Sequence, residues 1–165
     1  MSTCKSFAPI VDEHSRILIL GSMPGIKSLE QQEYYAHPQN RFWRLLALLL
    51  NEDMPQDYVA KQALLHKHHL ALWDTLGYCE RDGSLDSNIK NEAPNAVAEL
   101  ASELPHLQAV VCNGGKAGAA FKKYFAKKMP EQVRIFYLPS TSPANARLRL
   151  EGLAEHWQVI LQFLA

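Results

Sequence analysis

The sequence predicts an α/β protein in which residues 1–165 form a single three-layer domain around a central, mostly parallel, four-stranded sheet. Short, fully apolar segments alternate along the chain with longer segments whose apolar residues recur at helical spacing. Apolar strands that alternate with helices are typical of a parallel sheet covered on both faces. The chain has the length of one ordinary domain, and 47% of its residues are hydrophobic, which is enough to build one core.

Four segments are predicted as strands. The first, residues 17–20, is fully apolar and ends at Gly21. Residues 70–73 are a weaker candidate, and the remaining strands are expected around residues 110–111 and at residues 133–138.

Five segments show the periodicity of helices: residues 41–51, a stretch after Pro55, residues 94–104, a stretch from Gly114 onward and residues 149–164. One face of the first carries Phe42, Leu45, Leu46 and Leu49. In the second we expect Tyr58, Ala63 and Leu65 to face inward. Residues 94–104 begin with a proline, which is well tolerated in the first turn of a helix.

Charge and cysteine content exclude several classes of protein. Seventeen basic and seventeen acidic residues give a net charge of zero, so a nucleic-acid partner would have to be met by a local basic patch. The three cysteines, Cys4, Cys79 and Cys112, have no C-x-x-C spacing, which excludes a disulfide framework and a four-cysteine zinc or iron–sulfur site. We expect no metal and no cofactor.

The chain also lacks the signals of a membrane or secreted protein. Nothing in it approaches the ~20 consecutive apolar residues of a membrane span. Its first residues lack the charged and apolar regions of a signal peptide. We therefore expect a cytoplasmic protein without a membrane partner, in a bacterial-type cytoplasm with its nucleoid.

Four segments that follow predicted strands are rich in Gly, Pro, Ser and Asn: residues 21–25, 74–75, 113–115 and 139–146. In parallel sheets, ligands bind beyond the carboxyl ends of the strands. Any one of these segments is explained by the needs of a strand-to-helix turn. Four of them at one edge of the sheet indicate a binding site.

The connection between the first strand and its helix is long and aromatic, with the sequence Y-Y-A-H-P-Q-N-R-F-W at residues 34–43. Its G-S-M-P-G turn at residues 21–25 lacks the lysine and the glycine spacing of a phosphate-binding loop. Tyr34 and Tyr35 offer flat faces on which a nucleobase could stack. For each of them, packing onto the core is an equally good explanation.

These segments resemble the motifs of the uracil-DNA glycosylase superfamily. Residues 21–25 with 34–43 resemble the first motif of the mismatch-specific uracil/thymine DNA glycosylases, a G-I-N-P-G turn followed by aromatic-A-H-P-x-N-R-F-W. L-P-S-T-S-P-A-N at residues 138–145 resembles the second motif, and V-V-C-N-G-G-K at residues 110–116 resembles the intervening strand. The three occur in the family's order and cover nearly the whole chain. The resemblance implies a uracil-DNA glycosylase-like fold and hydrolysis of an N-glycosidic bond in DNA.

One departure indicates the branch. The mismatch enzymes carry a catalytic asparagine at the third position of the first motif, where this chain has Met23, whose thioether cannot orient water. The hypoxanthine (deoxyinosine) DNA glycosylases also lack a polar residue there, and they resemble this chain in G-S-M-P-G, in Y-Y-A-H-P-x-N-x-F-W and in W-D…G-S-L-D at residues 73–74 and 83–86. In that branch the catalytic asparagine maps onto Asn40, which would position a water. Capping of the helix that starts at Arg41 is the alternative role of Asn40, and both can hold.

The resemblance also implies the other site residues. The base-binding set is Tyr35 as the stacking aromatic, Asn113 as the reader of the base edge, and Gly21, Ser22 and Met23 of the first motif. The nucleic-acid-binding set is Lys116, Ser140, Thr141, Ser142, Ala144, Asn145 and Arg147. A turn role before Gly114 is the alternative for Asn113. Because Ala144 and Asn145 are small, we expect them to fill only weakly the gap that a flipped base leaves in the duplex.

Some polar residues remain outside this assignment. His37 could donate to a purine leaving group or pin its loop, and the sequence does not separate the two. Asp74 and Asp86 are interpreted as structural caps, and His66, His68 and His69 as residues at a helix C-terminus rather than metal ligands. No lysine is placed for a Schiff base, so the enzyme is predicted to be monofunctional.

The function predicted from the resemblance is base excision repair of DNA that contains a deaminated base, most of all hypoxanthine, by a monomer. Three alternatives stay open: a mismatch-specific uracil/thymine DNA glycosylase, a catalytically inactive DNA-binding relative, and a small phosphate-ester binder that uses the loop at residues 140–142.

Overall fold

A computed structural model describes residues 2–164 of the chain. Within this range the strands are β1 (Thr3–Lys5), β2 (Ile17–Gly21), β3 (Leu70–Asp74), β4 (Leu76–Glu80), β5 (Lys90–Pro94), β6 (Ala109–Asn113) and β7 (Arg134–Leu138). The α-helices are α1 (Ile26–Gln31), α2 (Phe42–Leu50), α3 (Tyr58–Lys67), α4 (Val97–Glu103), α5 (Gly115–Tyr124) and α6 (Leu150–Trp157). Short 3₁₀ turns at Asp86–Asn88, Ala126–Lys128 and Gln158–Phe163 complete the described elements.

The central sheet has four parallel strands in the order β3-β2-β6-β7. Every residue of the central strand β2 is buried, as its uninterrupted apolar run predicts. Alternate side chains point to opposite faces of a strand. Ile17 and Ile19 accordingly pack with α2, α3 and α6, and Leu18 and Leu20 pack with α4 and α5. The predicted α/β class and the four-stranded parallel sheet are confirmed.

A second sheet was not predicted. Strands β1, β4 and β5 form a three-stranded antiparallel sheet in the order β1-β4-β5. The predicted helix at 94–104 is therefore wrong at its start, because Pro94 pairs with Leu76 as the last residue of β5, and α4 begins at Val97. The residues of β5 are mostly exposed, so the strand shows no hydrophobic period by which it could be found.

Two helices differ in detail from the prediction. Ala63 of α3 is exposed, whereas Leu64 and Leu65 are buried. At 100° per residue Ala63 lies well round the helix from Tyr58 and Leu65, so the inward placement of Ala63 was wrong. The last helix is shorter than residues 149–164, because α6 ends at Trp157 and continues as 3₁₀ turns. None of the helices in residues 2–164 combines the length and the apolar character needed to span a bilayer.

Candidate active site

The four segments selected at the carboxyl ends of the strands meet around one cavity of about 760 Å³. Parallel strands bring their carboxyl ends to the same edge of the sheet, which is why distant segments of the sequence converge there. The predicted site residues that line the cavity are Gly21, Ser22, Met23, Tyr35, Asn40, Asn113, Ser140, Thr141, Ser142, Ala144 and Asn145. Lys116 and Arg147 do not line it.

Gly21, the last residue of β2, leaves room for two polar side chains at the inner wall of this cavity. A Cβ at this position would lie 2.7 Å from the Oδ1 of Asp74 and 3.2 Å from the hydroxyl of Tyr35. Any larger residue would therefore displace one of these groups from the cavity wall.

The two adjacent tyrosines have different environments. Tyr34 is buried, and its hydroxyl donates to the carbonyl of Ala8 (3.1 Å). Tyr35 is half-buried with a left-handed backbone (φ 54°), a strained conformation for an aromatic residue. Its ring stacks on Phe42 with centroids 4.1 Å apart and planes at 23°. Phe42 covers one face of the Tyr35 ring, and Tyr35 lines the cavity. Base stacking on the other face stays a prediction.

Asn40 combines a capping contact with a place on the cavity wall. Its Oδ1 accepts a hydrogen bond from the backbone N–H of Phe42 (2.9 Å), the first residue of α2. Helix α2 begins one residue later than predicted, and Asn40 satisfies one of its free N–H groups. The Nδ2 of Asn40 makes no hydrogen bond within the described residues. The N-cap residue is Arg41, so Asn40 does not hold the cap position that was expected, although its side chain binds the first N–H of the helix. The catalytic role of Asn40 stays a prediction.

The amide of Asn113 is fixed by neighbouring side chains. Its Oδ1 accepts from the backbone N–H of Thr141 (3.0 Å), and its Nδ2 donates to the hydroxyls of Thr141 (3.1 Å) and Tyr35 (3.3 Å). These bonds lock the amide in one orientation, as discrimination between base edges requires. They also engage both Nδ2 hydrogens, which leaves one lone pair of Oδ1 for a base. Base reading by Asn113 stays a prediction.

Arg41 was not selected from the sequence and holds the second-motif loop in place. Its guanidinium donates to the backbone carbonyls of Leu148, Ser142 (2.9 Å) and Asn145 (2.8 Å), and its backbone N–H donates to the carbonyl of Thr141 (3.1 Å). A single planar fork thus ties the start of α2 to a loop about one hundred residues further along the chain. The arginine of the N-R-F-W sequence was the available signal.

The hydroxyls of the second-motif loop are partly used within the loop itself. Ser140 accepts from the backbone N–H of Ser142 (3.0 Å), and Ser142 accepts from that of Ala144 (3.1 Å). The Nδ2 of Asn145 donates to the carbonyl of Ser140 (3.0 Å). Gly114 has φ of 102° and would bring a Cβ within 2.9 Å of the Cβ of Ser140, so this turn requires glycine.

Asp74 was interpreted as a cap, and this interpretation is wrong. Asp74 is the last residue of β3, it is only 4% exposed, and it lines the cavity. Its Oδ2 is buried and has no hydrogen-bond partner among the described residues. Burial, followed by the nearby charge of Asp86, raises the pKa of Asp74 to about 8, although Arg81 acts in the opposite direction. The carboxyl is therefore mostly neutral at pH 7.

Asp86 is not a helix cap either. It is the first residue of a 3₁₀ turn whose N-cap is Leu85, and its Oδ1 accepts a hydrogen bond from the hydroxyl of Ser22 (2.6 Å). The guanidinium of Arg81, which is buried, lies 3.9 Å from the same oxygen and donates to the carbonyl of Pro24 (2.6 Å). These contacts hold the first-motif turn against the chain that follows β4.

The sequence profile described as "Uracil DNA glycosylase superfamily" matches residues 8–164. The chain belongs to the uracil DNA glycosylase superfamily. A Methanosarcina barkeri protein named hypoxanthine DNA glycosylase is 39% identical over 155 residues, which cover 92% of this chain and 96% of that protein. A Methanosarcina acetivorans protein of the same name is 34% identical over 160 residues, which cover 96% and 98% of the two chains.

A solved structure agrees with these matches. The solution NMR structure of a candidate uracil DNA glycosylase from Methanosarcina acetivorans superposes with a TM-score of 0.85 at 32% identity and covers 99% of each chain. The predicted family, the resemblance to hypoxanthine DNA glycosylases and the prediction of a DNA glycosylase are confirmed. DNA is thus the substrate class of this superfamily member.

The two basic residues assigned to DNA lie outside the cavity of this glycosylase. The Nζ of Lys116 forms an ion pair with Glu92, so its charge is already partnered. Arg147 is exposed beyond the second-motif loop. Contacts of both residues with phosphates stay predictions. Lys122 and Lys123 of α5 are exposed.

The histidines of the glycosylase are consistent with local roles. His37 is exposed at the cavity, and its Nδ1 accepts from the backbone N–H of Gln39 (3.1 Å), which places the proton of the neutral ring on Nε2. His66 and His68, at the end of α3, contact Asp12 (2.9 Å) and Glu52 (2.7 Å). Within residues 2–164 no group of three or more His, Cys, Asp or Glu side chains is arranged to hold a metal ion.

Proposed function

We propose that this chain is a monofunctional glycosylase that hydrolyses the N-glycosidic bond of hypoxanthine flipped out of DNA, in base excision repair. The observation that carries the proposal is the composition of one cavity. In this superfamily member, Asn40, Tyr35 and the apolar Met23 of the first motif all line that cavity, which supports the proposal. The names of the two Methanosarcina relatives support the choice of hypoxanthine.

The size of the cavity suits a nucleotide that has left the stack. Its volume of about 760 Å³ lies within the range of small-molecule sites, roughly 300–1,000 Å³. Extrusion of the base costs a few kcal/mol and costs less where the base is mispaired. The extruded base would stack on the face of the Tyr35 ring that Phe42 does not cover. Such stacking stabilises the bound base by about 1–3 kcal/mol.

Asn40 is proposed to hold the attacking water. An amide does not titrate usefully, so it cannot act as a general base, but its carbonyl oxygen has two lone pairs. The first accepts the N–H of Phe42, which fixes the amide, and the second is free to accept from a water. A water held in this way is already oriented for attack on the sugar carbon.

The remaining predicted properties belong to the same proposal. Ser140, Thr141, Ser142 and Asn145 would contact the DNA backbone, with Lys116 and Arg147 as the local positive charges. The partner would be DNA containing a deaminated base, bound by a monomer without a cofactor. The chain would act as one glycosylase domain over residues 1–165, in a bacterial-type cytoplasm with its nucleoid.

Single-turnover base release tests the proposal. End-labelled duplexes that each carry one deoxyinosine, deoxyuridine or deoxyxanthosine are incubated with excess protein, and abasic sites are scored by alkali cleavage. We expect hypoxanthine to be released faster than uracil, with no strand cleavage before alkali. Asn40→Ala should lose this activity, whereas Gln56→Ala, which removes an exposed amide outside the cavity, should not.

Two outcomes would replace the proposal. Uracil opposite guanine as the best substrate would identify a mismatch-specific uracil glycosylase. Binding of all three duplexes without release of any base would identify an inactive DNA-binding relative.

A further inference from the structure

Asp74 is a buried acid that no structural role explains. Its carboxyl lies against the Cα of Gly21 at the carboxyl end of β3 and forms part of the cavity wall. Its backbone carbonyl is used, because it accepts a hydrogen bond from the Nδ2 of Asn95 (2.9 Å). Its side chain caps no helix, and its Oδ2 is left unpaired in the interior. A buried polar atom without a partner is costly, so such atoms point to a missing ligand.

The surroundings of Asp74 restrict what that ligand is. On one side lies the hydroxyl of Tyr35, which with Asp74 brackets the space that a Cβ on Gly21 would take. Residues 140–145 of the second-motif loop line the same cavity. The Tyr35 hydroxyl and the Asp74 carboxyl thus lie side by side at the cavity, so a base stacked on Tyr35 would be within reach of Asp74.

We propose that the Asp74 carboxyl contacts the flipped base directly and donates a hydrogen bond to an acceptor on its ring edge. This inference deepens the proposed function and rests on it. Hypoxanthine offers a carbonyl oxygen and unprotonated ring nitrogens as acceptors, and uracil offers carbonyl oxygens.

The neutral form of the acid makes this contact possible. The groups that act on Asp74 are Asp86 and Arg81 from the segment after β4, and the hydroxyls of Tyr34 and Tyr35, with which it interacts electrostatically. Burial and Asp86 outweigh Arg81, so the proton is retained up to a pKa of about 8. A carboxylate would instead repel the carbonyl oxygen of the base.

The contact would accelerate bond cleavage as well as bind the base. When the N-glycosidic bond breaks, its electron pair stays on the base, and negative charge develops on the carbonyl oxygen and the ring nitrogens. Water supplies the hydroxyl that joins the sugar carbon, and the second proton of that water leaves to solvent. A hydrogen-bond donor fixed at the developing charge is stronger in the transition state than in the ground state.

The test compares Asp74→Asn with Asp74→Ala in single-turnover release of hypoxanthine from a deoxyinosine duplex, from about pH 6 to about pH 9. Asparagine keeps one donor and one acceptor at this place but does not titrate. We expect the alanine variant to be slower by about 10²-fold, with unchanged affinity for a duplex containing a stable abasic-site analogue. The asparagine variant should remain within about 10-fold of the wild type.

The pH dependence of base release distinguishes this contact from a purely structural role of Asp74, which would leave that dependence unchanged. The wild type should lose activity as the pH rises through about 8, because the donor is then lost. In Asp74→Asn that loss should be absent. Asp86→Asn should shift the loss to lower pH, because it removes the neighbouring charge that favours the proton. Asp53→Asn, an exposed aspartate outside the cavity, should behave as the wild type.

The other outcomes overturn either the inference or a stated part of the proposed function. If Asp74→Asn is as slow as Asp74→Ala and wild-type activity rises with pH, the carboxylate acts as an acceptor or base. If Asp74→Ala matches the wild type, the side chain does not meet the base. A wild-type chain that releases only uracil refutes the choice of hypoxanthine alone, because the same series then applies to uracil. Release of no base refutes the proposed function and this inference with it.

Discussion

Replacement of Asp74 by asparagine should make the folded protein more stable, and the gain should grow with pH. The carboxyl is almost completely buried and its Oδ2 is unpaired, so ionisation inside the fold is opposed. Its pKa rises from 3.8 to about 8 on folding. Between these values the folded chain holds a proton that the unfolded chain has released. Stability linked to Asp74 is therefore fully present below 3.8 and is lost as the pH rises toward 8.

The size of the effect follows from one proton. Stability changes by about 1.4 kcal/mol per pH unit while the two states differ by a whole proton. Between about pH 5 and about pH 7 the wild type should thus lose about 3 kcal/mol through this group alone. Asparagine does not titrate, so the advantage of Asp74→Asn should grow by the same amount. For a chain of this length that corresponds to roughly 6–12 °C in melting temperature.

Urea unfolding of the wild type and Asp74→Asn at three pH values measures the effect. The difference between the two proteins is the quantity of interest, because the other titrating groups are common to both. Asp53→Asn, which removes an exposed carboxylate, is the matched control and should track the wild type.

A stability difference that stays constant within about 0.5 kcal/mol across this range would refute the reasoning. It would mean that Asp74 has the same affinity for its proton in the folded and the unfolded chain. A difference that shrinks as the pH rises would mean that the folded state favours the carboxylate, with Arg81 dominating over burial and Asp86.

Substitutions at three further positions test the site. Asn40→Ala should destabilise the fold by about 1 kcal/mol, because the hydrogen bond from the N–H of Phe42 is lost, and it should slow base release by at least about 10²-fold. Chemical unfolding and single-turnover kinetics measure the two effects, and full activity would remove Asn40 from the mechanism. Arg41→Lys keeps the positive charge but loses the planar guanidinium that binds the loop carbonyls. Amide hydrogen exchange in residues 140–148 should therefore accelerate. An unchanged exchange rate would show that the loop does not depend on the guanidinium. Tyr35→Phe removes only the hydroxyl bonded to Asn113, so it should cost about 0.5–1.5 kcal/mol of stability and retain base release. Tyr35→Ala should also weaken binding of a flipped base by about 1–3 kcal/mol. Equal base release by the two variants would contradict the stacking role.

The sheet was predictable because its information is local. A run such as Ile17 to Leu20 can be stable only when both of its faces are covered, which implies parallel strands and helices on each side. The alignment of the strand ends then placed four loops at one edge, and the structure brings all four to the cavity. The antiparallel sheet was missed because β5 is exposed and polar, and its pairing with β4 is decided by contacts rather than by pattern.

For some residues of the candidate site the sequence predicted the location, and for others it did not. Asn40 and Tyr35 were selected from the motif, and both lie on the cavity wall. The environment of Tyr34, in the core, could not be distinguished from that of Tyr35, because adjacent residues in an irregular loop have no fixed direction. Arg41 was passed over because its partners are carbonyls at residues 142–148, which no local pattern connects to it.

The sequence by itself determined the family, the four loops that meet at the cavity and many of the residues that line it, because these depend on short motifs and on hydrophobic period. The tertiary structure alone decided the state of Asp74. An aspartate after a strand is expected to be ionised and solvated, and only the packing around Gly21, with Asp86 nearby and Oδ2 shut off from water, makes it a neutral acid. The proton affinity of a carboxyl depends on the local dielectric and on the charges that the fold brings close to it. Neither can be predicted from the residues next to it in the sequence.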